Sequence, residues 1–297
     1  MTRTNTTPER RRAIARVMMA VAFGLMVAAS ASAADGRKEV RLDVAPGGTV
    51  NIVNNYGSVN LKPENGRQIV LAYTTHSGKV EADQESTPDK RRIEIMTHAL
   101  PDQSPSADEA RVDYEISVPA GISVTVTTAT APITLDTLSG DINLSSDTGQ
   151  VTVRNVSRSH VHVRSVAGAI TLDNVTGGHV EISSTSGTVQ MVNVTGPKVN
   201  VGTGSGNITY EGDCSGFGDY TMTTHSGNIE MKLPQTASVD LVARSVSGSV
   251  QNDFPLQKKT HASFVPKAGS SFAGTSNSGS SSVQLQSFSG RIRVKKQ

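Results

Sequence analysis

The sequence predicts an all-β protein built mainly as a parallel β-solenoid, β-helix-like, of 19–21 residues per turn with an N-terminal β cap. Three observations predict it. Short motifs recur at a fixed interval, which is the signature of stacked repeats. Apolar and polar residues alternate within each motif, the periodicity of a strand with one buried face. The composition is rich in Gly, with 27 residues, yet holds only 4% aromatics and no Trp, which suits short strands and tight turns.

The first 33 residues read as a secretory signal peptide. Arg10, Arg11, Arg12 and Arg16 precede an apolar run from Val17 to Ala29, and Ala31-Ser32-Ala33 gives a small-x-small cleavage pattern. The run is shorter than the roughly 20 residues a spanning helix needs, so no transmembrane segment is expected after cleavage. The segment holds five Arg and one Glu, so the remainder has 23 basic and 25 acidic residues. The basic excess therefore belongs to the leader, and a nucleic-acid partner is not expected. Cys214 has no second cysteine to pair with and is expected as a small buried residue.

Residues 34–117 do not follow the repeat but still alternate, at Val50-Asn51-Ile52, Val59-Asn60-Leu61, Ile69-Val70-Leu71, Ile93-Glu94-Ile95 and Tyr114-Glu115-Ile116. They are expected to form the β cap over the first coil. Asn54 to Gly57 reads as a turn, and Ala99 to Arg111 as an exposed loop.

The solenoid is expected over 118–297. Gly149, Gly168, Gly187 and Gly206 each lead an apolar-x-apolar strand and lie nineteen apart. Gly227, Gly248 and Gly290 continue the series at multiples of twenty-one. A second strand alternates with the first, at Ile142-Asn143-Leu144, Val161-His162-Val163, Val180-Glu181-Ile182 and Val199-Asn200-Val201; Tyr220-Thr221-Met222 and Val239-Asp240-Leu241 extend it. A third column holds Leu138, Val156, Val175 and Val194. Strands this short fold only by stacking on their own copies. Asn155, Asn174 and Asn193 are expected to form an amide ladder at one corner, with Gly177 and Gly196 placed where the backbone needs positive φ or close approach. The same Asn-Val-Ser/Thr triplets match a glycosylation sequon, which the ladder explains better. A Gly/Ser-rich insertion near 255–282 interrupts the coil, and Lys295 and Lys296 are expected to blunt its final edge.

The order of these parts resembles a known family. Leader, β cap, Val-Pro-Ala-Gly-Ile-Ser-Val-Thr-Val from Val118, repeated Ser/Thr-Gly-x-Ile-x-Leu, Asp253-Phe254-Pro255-Leu256 and a closing Ser289-Gly290-Arg291-Ile292-Arg293-Val294 look like the bacterial putative-adhesin domain of unknown function. The resemblance implies a β-solenoid on an exported envelope protein and supplies no catalytic residues.

Chemistry in the sequence is sparse. His160, His162, His179 and Glu181 would be neighbours in successive turns, with Asp141 below His160, so they form the candidate metal cluster. A solvated polar face explains them better, and no metal or other cofactor is expected. Arg154, Arg164, Asp173 and Lys198 are the outward charges a polysaccharide-active β-helix enzyme, a lyase or hydrolase, would use, but they are scattered. No Gly-x-Ser-x-Gly, His-Glu-x-x-His or phosphate loop is present. The sequence therefore predicts no enzyme. It predicts an adhesin-like or scaffold protein of the periplasm, outer surface or extracellular space, with an envelope glycan or envelope protein as partner.

Overall fold

A computed structural model describes residues 36–214, 217–259 and 267–297. The leader expected at 1–33 lies outside the described residues. Among the described residues every regular element is a strand. The N-terminal part holds β1 (Arg37–Asp43), β2 (Thr49–Val53), β3 (Gly57–Glu64), β4 (Gln68–Thr75), β5 (Val80–Ser86), β6 (Arg92–Ala99) and β7 (Val112–Pro119). The repeats supply β8 (Ser123–Thr128), β9 (Ile133–Asp136), β10 (Ile142–Ser146), β11 (Val151–Ser157), β12 (Val161–Ser165), β13 (Ile170–Thr176), β14 (His179–Ser184), β15 (Val189–Val192), β16 (Lys198–Thr203), β17 (Ile208–Glu211), β18 (Asp219–Thr224) and β19 (Ile229–Leu233). The C-terminal part adds β20 (Val239–Ser245), β21 (Val250–Asn252), β22 (Gln257–Lys258), β23 (Ser271–Thr275), β24 (Ser281–Ser287) and β25 (Ile292–Lys296).

Two sheets face each other, one of 12 strands and one of 13. From β8 to β19 each turn of chain lays one strand in each sheet, and each strand pairs in parallel with its copy one turn away. Val161 pairs with Val180 and Val180 with Val199. Ile170 pairs with both Val151 and Val189. The nineteen-residue interval is thus the length of one turn. The apolar member of each alternation points between the sheets, where Val151, Val161, Ile170, Val180, Val189 and Val199 are buried. Leu138, Val156, Val175 and Val194 are buried at the corner, and Cys214 is buried as well. Burial pushes the Cys214 thiol up to about 12.

A second corner is set by a residue three before each strand glycine. Ser165 Oγ donates to Gly168 O at 2.9 Å, Ser184 Oγ to Gly187 O at 3.2 Å and Thr203 Oγ1 to Gly206 O at 2.7 Å. Each such bond satisfies a buried hydroxyl and contributes about 0.5–1.5 kcal/mol net. Small hydroxyl residues recur here because the corner has room for one polar atom and a carbonyl to receive it.

The ends depart from sequential stacking. β2 lies between β6 and β8, and β3 between β7 and β9. Residues 36–119 therefore supply two rungs of the coil, besides the antiparallel strands β1, β4 and β5 that cover its end. The rung β2–β3 comes earlier in the chain than β6–β7 yet lies nearer the middle.

The other end mirrors this arrangement, and two sequence expectations are corrected there. β24 lies between β18 and β20, and β25 between β19 and β21. Lys295 and Lys296 therefore belong to an interior strand and blunt no edge; Lys295 Nζ instead meets Glu230 Oε2 at 2.7 Å. Val239-Asp240-Leu241 does not follow Tyr220-Thr221-Met222 as the next rung, and Leu241 rather than Val239 falls in the column of Tyr220. Tyr220 pairs with Val283, and Val283 with Leu241. The cause is the insertion: β23 runs antiparallel to β20 and returns the chain so that the last rung enters beneath the one before it. Residues 260–266 of that insertion lie outside the described residues.

Candidate functional site

The outward faces carry the recurring chemistry. On the 12-stranded sheet Thr134, Thr152, Thr171, Gln190 and Thr209 align in register, one per rung. On the other sheet Thr125, Asn143, His162, Glu181, Asn200, Thr221 and Gln284 align in the same way. Rungs of a parallel sheet are about 4.8 Å apart, so the first column presents hydroxyl and amide groups at that spacing, and in the second His162 and Glu181 interrupt them.

The charges considered for an enzyme do not converge. Arg154 pairs in register with Asp136 on one side and Asp173 on the other. Arg164 and Lys198 belong to the opposite sheet, beside Ser145 and Ser183, and beside His179 and Asp219, respectively. The histidine cluster divides into two pairs. The rings of His160 and His179 stack with centroids 4.9 Å apart, and His162 Nδ1 lies 3.5 Å from Glu181 Oε2. His160 Nδ1 is 3.8 Å from Asp141 Oδ1. Among the described residues these side chains are not brought to one point; a different group, Glu81, Asp83 and His98, is.

Asn155, Asn174 and Asn193 share one corner. Asn174 Nδ2 donates to Asn155 Oδ1 at 3.0 Å, and Asn155 Nδ2 donates to Asp136 Oδ1 at 2.9 Å. All three have positive φ, at 54°, 55° and 51°. Asn is the non-glycine residue that best tolerates this left-handed geometry, so backbone and side chain select it together. Asn174→Ala is expected to cost about 1–2 kcal/mol, the penalty of an ordinary L residue at this geometry, and Asn174→Gly less; urea denaturation of the two variants measures it.

A cleft of about 520 Å³ lies at the N-terminal end. Tyr56, Ser58, Asp108, Arg111, Asp113 and Thr130 line it. Asp113 is its electrostatic centre. His76 Nε2 lies 2.6 Å from Asp113 Oδ2, and Ser58 Oγ donates to Asp113 Oδ1 at 2.8 Å. Burial pushes the Asp113 carboxyl up, but the hydrogen bonds from His76 and Ser58 outweigh it, and the group stays below its ordinary value. A hydroxyl is activated as a nucleophile when an imidazole lies between it and the carboxylate. Here the carboxylate lies between hydroxyl and imidazole, so the three groups are not in the order of a Ser-His-Asp triad. Next in sequence to the lining residue Asp108, Glu109 accepts at Oε1 from Lys79 Nζ at 2.7 Å. That bond, with the Ser106 backbone, holds the Glu109 carboxyl down at about 2. Sequence reading missed this cleft because its residues come from three separate turns of the chain.

These faces and rungs define a solenoid-like all-β domain. The chain belongs to the Toastrack family, DUF4097, whose model matches residues 49–295. Three solved structures are similar to it. One is a putative cell adhesion protein from Clostridium sporogenes, 14% identical, with 88% of this chain and 100% of that chain covered and a TM-score of 0.29. Another is a putative adhesin from Parabacteroides distasonis, 10% identical, covering 89% and 98%, with a TM-score of 0.36. The third is a putative adhesin from Parabacteroides merdae, 10% identical, covering 88% and 96%, with a TM-score of 0.31. No curated protein matches the sequence. Among the described residues no helix is long and apolar enough to cross a membrane.

Proposed function

We propose that the protein is an exported, adhesin-like or scaffold protein of the cell envelope that binds without catalysis through its repetitive β surface. An envelope glycan or an envelope protein is the partner. The observation that carries this reading is the column Thr134, Thr152, Thr171, Gln190 and Thr209, five rungs of uncharged hydrogen-bonding groups in register, of which Thr152 is buried and the other four reach solvent. An extended partner that contacts one rung is held close to the next, so individually weak contacts add as avidity. The leader-like residues 1–33 support export. The second reading, a polysaccharide-active enzyme, draws on the end cleft, where Asp108 and Asp113 both face the space.

The test is retention on the cell's own envelope fraction. Thr171→Lys combined with Thr209→Lys is expected to abolish retention while leaving the thermal midpoint in place. Undiminished retention would remove the sheet face as the binding surface. New reducing ends or unsaturated products from an envelope glycan would establish the enzymatic reading instead.

A further inference from the structure

At the N-terminal end of the 13-stranded sheet, β5 is the outermost strand and pairs only with β6. Their antiparallel register sets Glu81 opposite His98 and Asp83 opposite Met96. Val80 and Ala82 are buried, so alternation turns Glu81 and Asp83 to the outer face together. His98 Nδ1 lies 3.4 Å from Asp83 Oδ2. One ligand atom from each of Glu81, Asp83 and His98 lies within 4.8 Å of the other two, and no other three His, Cys, Asp or Glu side chains among the described residues come as close. Asp83 has His98 as its ion-pair partner, and Glu81 has none among the described residues.

We propose that Glu81, Asp83 and His98 bind a divalent first-row transition ion, of which Zn²⁺ is the probe, and that the ion clips β5 to β6. The donor set argues for this class of metal. One imidazole nitrogen with two carboxylate oxygens suits Zn²⁺, whereas Mg²⁺ and Ca²⁺ prefer oxygen alone. Zn²⁺ binds both donor types at about 2.0–2.2 Å, so the three side chains close slightly around it. They can do so because they are solvent-accessible and no lysine or arginine holds either carboxylate. A water completes the fourth position. The ion also removes the repulsion between two adjacent carboxylates, which His98 can offset only in part. Two ligands from β5 and one from β6 make the site a cross-strand staple at an edge, where strands fray most readily.

The histidines at 160, 162 and 179 serve as the internal comparison, since they are as exposed but do not converge. Calorimetric titration of the chain, purified without a histidine tag, with Zn²⁺ is expected to show one site. His98→Ala and Asp83→Asn should each weaken it about tenfold or more, the scale on which even supporting residues of metal sites act. The double variant His160→Ala, His179→Ala should bind as the parent does. Zn²⁺ should slow amide exchange in β5 of the parent and leave β5 of the His98→Ala chain unchanged. Absence of heat, unchanged affinity in His98→Ala, loss of binding in the His160/His179 variant, or equal binding of Mg²⁺ would each overturn the site.

Discussion

Gly187→Ala should destabilise the protein by about 3 kcal/mol or more, at the upper end of what overpacking costs, while Gly202→Ala, fifteen residues on, should be neutral or slightly stabilising. The reason lies in what a Cβ would meet. At Gly187 it would fall on the carbonyl oxygen of Gly168, with the Gly168 carbonyl carbon at 2.9 Å and Ser184 Oγ at 3.0 Å. That oxygen is backbone, fixed by the turn below, so no side-chain rotation relieves the clash. The backbone of Gly187 is not left-handed; the demand is close approach alone. At Gly202, within β16, nothing lies within 4 Å of the added carbon, and replacing a glycine there removes flexibility from the unfolded chain, worth about 0.4–1 kcal/mol. Urea midpoints for the two variants decide it. Equal midpoints would mean that the strand glycines are not needed for turn-on-turn contact.

The same contact explains which parts of the molecule could be read from the letters. The middle repeats were legible because each constraint recurs: a glycine where backbones touch, a small hydroxyl three residues earlier, and a valine facing inward. Each copy reinforces the others, so Val161 and Val180 could be paired by interval alone. The ends were not legible because the order of rungs is not a local property. Strands of β20 and β24 alternate alike, and only the long antiparallel return through β23 decides which lies against β18. The column shift from Val239 to Leu241 follows from that return. β1 and β5 escaped notice for another reason: their outward positions are charged, and β5 buries only Val80 and Ala82. The end cleft was hidden for the same cause as the rung order, since Tyr56 and Thr130 meet only because β2–β3 enters between β6–β7 and β8–β9.

Removing residues 281–297 tests that rung order directly, and its expected effect is the largest. These residues form β24 and β25, and Val283, Leu285, Ile292 and Val294 within them are fully buried. At about 1.5–3 kcal/mol for each aliphatic side chain, their burial contributes about 6–12 kcal/mol, on the scale of the whole stability of a domain, about 5–15 kcal/mol. If rungs stacked in chain order, the deletion would strip one terminal turn and leave β20–β21 protected against β18–β19. In the observed topology it removes the layer that joins them. Residues 234–280 should then become a protease-sensitive tail, with Val239, Leu241 and Phe254 uncovered. Digestion should stop near Leu233, and the trimmed product should have the same urea midpoint as a chain ended there by design. Val283→Asp should expose the same tail through a single buried charge, because desolvating an unpaired carboxylate is costly. Protection of β20 in the shortened chain would mean that it pairs directly with β18, and the inserted final rung would have to be abandoned.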